Sequence, residues 1–389
     1  MSKANSHLCI MPNPSSPSKR TILLLCGGFS VEHEVSLNSA RFIAQHIDKT
    51  EYRILVVIVR HDRQWIHIPY PVFLDGEHQG DPVYLRHHQG VTALIGDTIC
   101  EPIHMVFPII HGTGGEDGSI QGFLDYMNLP YVGNDIFASA ACMDKIATKQ
   151  ILLANGLPVV PFIALSRSDI IPTYEQACRD LKSHVLVIKP ATSGSSVGIA
   201  KVHQAKDYDE TITRALMYAN RILIECAITG AEVECAILGN ACAMASGVGE
   251  IIVHNADKMY SYDAKYHDLQ EKQAHVHVTA VTIDAETQER VRTMALRAFH
   301  VMTCSGLARI DFFVTSDGIF INELNTMPGF TAISLYPQLW QHEGISPDAL
   351  IARLLSCAQE RFDQNKTLIH HYTQGGRTEK DLAPGTLTC

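Results

Sequence analysis

Two stretches of this chain carry side chains of the kinds that handle phosphate groups and divalent cations. The first is Lys189-Pro-Ala-Thr-Ser-Gly-Ser-Ser-Val-Gly198. A lysine closes an apolar run and a Ser/Gly loop follows. Glycine lets the backbone approach a ligand closely, backbone N–H groups and serine hydroxyls can wrap phosphate oxygens, and the ammonium neutralises their charge. No G-x-x-x-x-G-K-[ST] pattern occurs anywhere, so this is not a Walker A loop. A surface turn has the same composition, and the loop alone decides nothing. The second stretch is Arg309-Ile-Asp311 followed by Asn322-Glu-Leu-Asn325. Magnesium-like ions take oxygen ligands, typically carboxylates together with substrate phosphates. Glu323 and Asn325 are two apart and share a strand face, and Asp311 on a neighbouring strand can join them. A charged solvent face is the plain alternative. Against it, these polar residues interrupt an apolar hairpin (Ile310, Phe312, Phe313, Phe320, Ile321), where a buried carboxylate needs compensation that a metal supplies.

The elements that must position these groups can be read from apolar periodicity. Thr21–Cys26 is a short buried-type strand ending in Gly27-Gly28. A helical pattern (Val35, Ala40, Ile43, Ile47) and a second strand, Ile54–Val59, complete a βαβ unit, which implies a parallel sheet. A third run, Met105–Ile110, ends in His111-Gly-Thr-Gly-Gly-Glu-Asp-Gly118, with a helix from Ser119 towards Met127. Ligands bind at the carboxyl ends of such strands, so the residues near Glu34 and His111 should share a crevice. Around Asn134 the character changes. One helix carrying Met143, Ile146 and Ile151 is predicted to stop at Asn155-Gly-Leu-Pro158. Val185–Lys189, Ile222–Glu225 and Glu232–Leu238 read as strands, and Arg309–Val314 and Ile319–Glu323 as a hairpin around Thr315–Gly318. A helical pattern runs from Pro347 to about Phe362. The alternation His275-Val-His-Val278 reads as one face of a half-buried strand.

Composition narrows the class. The 389 residues hold 31 Lys and Arg against 41 Asp and Glu, a formal charge of −10, which argues against a nucleic-acid partner. No apolar run approaches the roughly 18 residues of a membrane span. Eleven cysteines are scattered without a CxxC pair, as expected of reduced thiols in a cytoplasmic protein. Residues 1–20 lack an apolar core and read as a disordered leader, and 367–389 as a similar tail.

Over nearly all of Ile22–Phe362 the chain resembles the D-alanine–D-alanine ligase family. The matching stretches are Glu32-His-Glu-Val-Ser-Leu37, His111–Gly118, Met143-Asp-Lys145, Lys189–Gly198, Tyr262-Asp-Ala-Lys-Tyr266, Arg309–Asp311 and Asn322-Glu-Leu-Asn-Thr-Met-Pro-Gly-Phe-Thr331. The resemblance implies an ATP-grasp fold: an α/β N-terminal domain with a parallel sheet (21–136), then two α+β ATP-grasp subdomains (137–228 and 229–366). It implies ATP-dependent joining of two D-alanines through a D-alanyl phosphate, for peptidoglycan precursor synthesis, by a homodimer. Lys145 and Lys189 would bind ATP phosphates beneath a loop holding Ser195 and Ser196. Glu225 would take the adenine amino group, Cys226 to Ile228 would offer backbone partners, and Glu232 would take the ribose. Asp311, Glu323 and Asn325 would hold two Mg²⁺ or Mn²⁺ ions. Glu34, with His111 nearby, would bind the first ammonium, Arg309 and the N–H of Gly329 would stabilise the oxyanion, and Ser334 and Lys265 would receive the second carboxylate. Tyr266, Ser195 and Glu34 would form a hydrogen-bonded set that closes the site. A sibling ligase using D-lactate or D-serine is the alternative. The Tyr262–Tyr266 stretch speaks against the lactate enzymes, which resemble one another in lacking Lys-Tyr there. A nucleotide-binding protein without catalysis would not need every metal and phosphate residue retained. A bicarbonate-using ATP-grasp enzyme would not explain Glu34 and His111.

Overall fold

Strand β1 (Arg20–Gly27), helix α1 (His33–His46) and strand β2 (Tyr52–Val59) form the βαβ unit that the apolar runs predict. The computed structural model describes residues 19–76, 79–87, 90–96, 99–195, 197–253, 274–280 and 282–368. Almost all of the leader and of the tail, Ser196 and the Tyr262–Tyr266 stretch with Lys265 therefore lie outside the described residues. After β3 (Trp65–Ile68), α2 (Tyr70–Leu74), β4 (Asp81–His87), β5 (Val91–Ile95) and β6 (Ile99–Pro102) comes β7 (Met105–Pro108). β2, β1 and β7 are parallel, with Ile22 opposite both Ile54 and Met105. Ile22 to Cys26 are fully buried, because a parallel strand covered on both faces must be apolar throughout.

The parallel reading holds for these three strands only. The sheet has seven strands in the order β6-β5-β4-β3-β2-β1-β7, and the β3–β6 extension is antiparallel. The links from β2 to β3, from β4 to β5 and from β5 to β6 are too short for the crossover that a parallel pair requires.

Helices α3 (Ser119–Tyr126), α4 (Ile136–Met143) and α5 (Lys145–Ala154) follow. The single helix predicted through Met143 and Ile151 is thus two. Asp144 leaves helical geometry (φ −88°, ψ 102°) and its carboxylate accepts the N–H groups of Ile146 and Ala147. An aspartate capping first-turn amides starts a new helix, and apolar spacing alone does not register such a break. The break sets Lys145 at the start of α5.

Two antiparallel sheets complete the architecture. β8 (Phe162–Ser166), β9 (Leu186–Pro190), β10 (Ala200–Val202) and β11 (Arg221–Cys226) pair in the order β10-β9-β11-β8, backed by α6 (Tyr174–Asp180) and α7 (Tyr208–Ala215). β12 (Ala231–Gly239), β13 (Met244–Val253), β14 (Ala274–His277), β15 (Gly306–Thr315) and β16 (Gly318–Asn325) pair in the order β14-β13-β12-β15-β16, with α8 (Ala285–Val301) packed against them. α9 (Leu335–His342) and α10 (Pro347–Lys366), which outruns its predicted end, send Trp340, Leu350 and Leu354 into one core with Ile22, Leu24 and Ile43. That shared core fixes the first sheet against the five-stranded one, and the chemistry lies between them.

Asn134 joins the two at a polar point. It is 1% exposed; its Nδ2 donates to the carbonyls of Leu307 (2.7 Å) and Thr326 (3.0 Å), and its Oδ1 accepts the Ser305 N–H at 2.8 Å. Asn134→Ala leaves these buried backbone groups without those partners, so it should cost about 2–4 kcal/mol. Urea denaturation measures this, and a loss below about 1 kcal/mol would contradict the role given to Asn134.

Candidate active site

Two cavities adjoin where the sheets meet. The larger, about 400 Å³, is lined by Glu32 and Glu34 from the start of α1, by His111 from the loop after β7, by Arg309 and Asn325, and by Gly329 and Ser334. The smaller, about 130 Å³, is lined by Lys189, Glu225, Cys226, Ile228, Glu232 and Asn322. Lys145, Gly194, Ser195 and Glu323 line both and form the wall between them.

The β15–β16 hairpin presents its polar groups by register. Asp311 lies opposite Glu323 and Arg309 opposite Asn325, but Phe312 pairs with Ile321, so Asn322 is bulged out. A bulge re-aims a side chain, and the Asn322 Oδ1 accepts from Lys189 at 3.0 Å. Arg309 grips Asp311 through Nε (2.8 Å) and a terminal nitrogen (2.7 Å) and also meets Glu234 of β12 at 2.8 Å. Burial opposes the charge of the guanidinium, yet Asp311 and Glu234 hold it firmly protonated. Lys145 pairs with Glu323 (3.2 Å) and donates to the Ser193 carbonyl (2.9 Å).

In the smaller cavity the carboxylate expected to meet adenine sits between two ammoniums, Lys189 at 2.6 Å and Lys149 at 2.9 Å. Two of the amides expected to serve adenine are engaged within the fold, Cys226 with the Pro161 carbonyl and Ala227 with that of Val185. Ile228 and Glu232 remain on the lining.

His111 is buried and organises the larger cavity. Its Nδ1 lies 3.0 Å from the Met327 carbonyl and its Nε2 3.0 Å from Ser39 Oγ, which accepts the Phe330 N–H at 3.2 Å. Burial lowers the His111 pKa, although the charge of Glu32 opposes this. The neutral ring therefore donates from Nδ1 to Met327 and accepts the Ser39 hydroxyl at Nε2. This chain of bonds holds the loop bearing Gly329 against α1. Ser334 is the N-cap residue of α9, with its Oγ accepting the Thr331 N–H at 3.0 Å, so it stands where a helix end favours a carboxylate.

The hydrogen bond expected between Ser195 and Glu34 is made by Glu32 instead. Glu34 is exposed on the rim of the larger cavity, whereas Glu32 is buried and accepts the hydroxyl of Ser195. Residues two apart on a helix point in nearly opposite directions, so only one of the two glutamates can face the loop. Glu32 fits into a space that small residues leave. A Cβ on Gly112 (φ +74°) would lie 2.4 Å from its Oε2, and one on Gly194 3.1 Å. Ser195 is itself held in left-handed backbone geometry (φ +48°), which is costly for a serine and common where loops grip ligands. The sequence reading singles out neither Glu32 nor Lys149, Glu116, Glu234 and Ser39. The first and third lie inside its motifs, and Lys149 repeats Lys145 at helical spacing.

The asparagine and the two carboxylates offer hard oxygen donors. Among the described residues no three His, Cys, Asp or Glu side chains gather as a metal cluster. An ionised carboxylate has about four lone-pair sites, so Asp311 can keep Arg309 and still face a cation. Asn325 engages its amide nitrogen on Asp311 at 3.0 Å, which leaves its oxygen as the donor. Such a partial set suits an ion that completes its shell with phosphate and water.

Known proteins share this architecture. The family described as D-ala D-ala ligase N-terminus matches residues 21–134, and that described as D-ala D-ala ligase C-terminus matches 151–356. The chain is 41% identical to D-alanine–D-alanine ligase A of Chromobacterium violaceum over 358 residues, covering 89% of this chain and 96% of that one. It superposes on the D-alanine-D-alanine ligase of Coxiella burnetii with a TM-score of 0.80 at 34% identity, covering 90% and 96% of the two chains. The VanG D-Ala:D-Ser ligase of Enterococcus faecalis superposes with a TM-score of 0.76 at 29% identity, covering 88% and 100%.

Glu116 lies beside the His111 ring (3.9 Å) and accepts the Gly112 N–H at 2.8 Å. Burial, aided by the charge of Glu32, pushes its carboxyl up from 4.5 to about 8. A carboxyl whose folded pKa is raised holds its proton more tightly in the folded state. Its contribution to stability is therefore full below pH 4.5 and is lost as the pH rises through about 8. Glu116→Gln keeps the shape without ionising and should flatten the fall in stability across that window. Urea midpoints at several pH values report this, and a variant that tracks the wild-type slope would refute it.

Proposed function

The chain belongs to the D-alanine–D-alanine ligase family, and on that footing we propose that it joins two D-alanines with ATP as phosphoryl donor, yielding the dipeptide used in peptidoglycan precursors. One observation carries the reading: a set of lysines and carboxylates suited to a nucleotide and a set of groups suited to an amino acid line adjoining cavities whose common wall holds Lys145, Ser195 and Glu323. Phosphoryl transfer between two bound substrates needs that contact.

ATP occupies the smaller cavity, with its phosphates towards Lys145 and Lys189 and its adenine towards Glu225. The first D-alanine lies in the larger one. Its ammonium pairs with Glu32, in place of Glu34, near the charge-neutral His111. Its carboxylate oxygen attacks the γ-phosphorus, the bond to the β-phosphate oxygen breaks, and ADP leaves with that electron pair. The second D-alanine sets its carboxylate at Ser334 and the amino end of α9, and its neutral amine attacks the acyl carbon. Arg309 and the Gly329 N–H stabilise the oxyanion; the nitrogen gives up one proton, the acyl C–O bond breaks and phosphate departs with that electron pair. Ser195 on Glu32 holds the Ser/Gly loop over the reacting atoms, which excludes water from an acyl phosphate that would otherwise hydrolyse. Asp311, Glu323 and Asn325 would hold Mg²⁺ or Mn²⁺, two ions in this reading, which would neutralise charge on the phosphates. Lys265, Tyr266 and Ser196 belong to the same proposal but lie outside the described residues. The division at 136/137 and 228/229, a homodimeric state and a cytoplasmic location complete it. Among the described residues no helix is long and apolar enough to cross a membrane.

Phosphate release with ATP and D-Ala, L-Ala, or D-Ala mixed with D-Ser or D-Lac tests the reading. D-Ala alone should support turnover, L-Ala should not, and dipeptide should dominate in the mixtures by mass spectrometry. Equal turnover with L-Ala, or D-Ala-D-Lac as the main product, would overturn it. In the same assay Glu32→Gln should lower kcat/KM for D-Ala about tenfold to a hundredfold, as expected for a hydrogen bond to a charged group. Glu34→Gln should change it less than about threefold, and the reverse ranking would restore Glu34 to the role.

A further inference from the structure

Helix α5 carries two lysines at i and i+4, one turn apart on the same face. Lys145 reaches the wall between the cavities. Lys149 does not reach either cavity lining. It is 1% exposed; its Nζ donates to the Val160 carbonyl at 3.2 Å, lies 2.9 Å from Glu225 Oε1 and stands 5.7 Å from the Phe162 ring centroid. Glu225 is 2% exposed, and its other oxygen takes Lys189 at 2.6 Å. One carboxylate therefore faces two ammoniums, more positive charge than its own neutralisation requires.

Nucleotide binding accounts for the surplus. In the reading above Lys189 turns to the phosphates and Glu225 accepts the adenine amino group. Were Lys189 the sole counter-ion, its departure would leave a buried, unpaired carboxylate, which is strongly unfavourable. Lys149 is anchored on α5 and to Val160, and it stays. We propose that Lys149 is a positioning residue for purine selection: it is the permanent counter-ion of Glu225, keeping that carboxylate ionised and aimed as an acceptor while Lys189 moves to the phosphates. The inference rests on the adenine reading of Glu225. Burial opposes ionisation of Glu225, yet Lys149 and Lys189 together hold its pKa below the ordinary carboxylate value. An acceptor facing the purine C6 substituent favours an amino group there, as in ATP, over a carbonyl, as in GTP.

Steady-state kinetics with purified full-length protein test the proposal, using ATP and GTP as phosphoryl donors. Lys149→Met keeps the length and removes the charge. It should fold, because Lys189 still pairs with Glu225 in the free protein. It should raise KM for ATP about tenfold while moving KM for D-Ala less than about twofold, and it should lower the ATP:GTP ratio of kcat/KM about tenfold. Lys149→Arg should keep the ratio. Glu225→Gln tests the underlying reading separately, since its amide can also donate to a guanine carbonyl and the ATP:GTP ratio should fall. In that background, where position 225 carries no charge for Lys149 to balance, adding Lys149→Met should change KM for ATP less than about twofold. An unchanged ratio in Glu225→Gln overturns the adenine reading and the inference with it. A fallen ratio there, with Lys149→Met raising KM for ATP equally in both backgrounds, overturns the inference alone and makes Lys149 a packing residue. Should the single Lys149→Met variant fail to fold, the comparison of Glu225→Gln with the double variant, which leaves no lone charge, decides by the same criterion.

Discussion

A charge taken out of water must be met by an opposite charge or by hydrogen bonds, and this requirement shapes the cleft. Glu225, Glu234 and Asp311 are all buried on strands facing it. Each is matched by a cation drawn from another element or strand position: Lys149 and Lys189 for Glu225, and Arg309 for Glu234 and Asp311. Lys145 meets Glu323 in the same way. These pairs keep the folded protein stable without ligand, and they also store the groups that a polyphosphate and a divalent cation would claim. In the proposed reaction, binding would exchange one set of partners for another inside a low-dielectric space, so the electrostatic groups would need little reorganisation when the reaction begins.

Around His111 and α1 the larger cavity follows a different rule. There the buried groups are largely neutral or hydrogen-bonded, and precision comes from linked short contacts. The His111 ring ties Ser39 of α1 to the Met327 carbonyl, and Glu32 ties α1 to the Ser/Gly loop through Ser195. The same helix thus touches the Ser/Gly loop and the loop that carries Gly329. A shift of α1 would disturb both, which explains why its inner face is so closely fitted, with Ser36 and Ser39 fully buried and hydrogen-bonded.

Much of this was legible in the amino-acid order. The β1–α1–β2 unit, the β15–β16 hairpin and the Lys189 loop all announce themselves through apolar runs interrupted by a few polar residues. The side-chain period of a strand is two, so Glu323 and Asn325 could be assigned to one face without coordinates. Three features were hidden for physical reasons. The break at Asp144 depends on a capping carboxylate within an otherwise continuous helical pattern. The choice between Glu32 and Glu34 depends on where α1 begins, and a shift of two residues would reverse it. The bulge at Asn322 adds a residue that no periodicity signals, yet it delivers a hydrogen bond to Lys189. Lys149 was hidden differently: a lysine on a helix is ordinarily a solvated surface group, and only tertiary burial turns it into a counter-ion.

The account stands on one chemical claim, that a D-alanine carboxylate oxygen attacks phosphorus in the space between the two cavities before any peptide bond forms. D-Alanine labelled with oxygen-18 in its carboxylate tests this most directly, by mass spectrometry of the phosphate and dipeptide formed with unlabelled ATP. The account predicts one labelled oxygen in each phosphate released and label retained in the peptide carbonyl. Dipeptide formed alongside unlabelled phosphate, or alongside AMP and pyrophosphate, would contradict it.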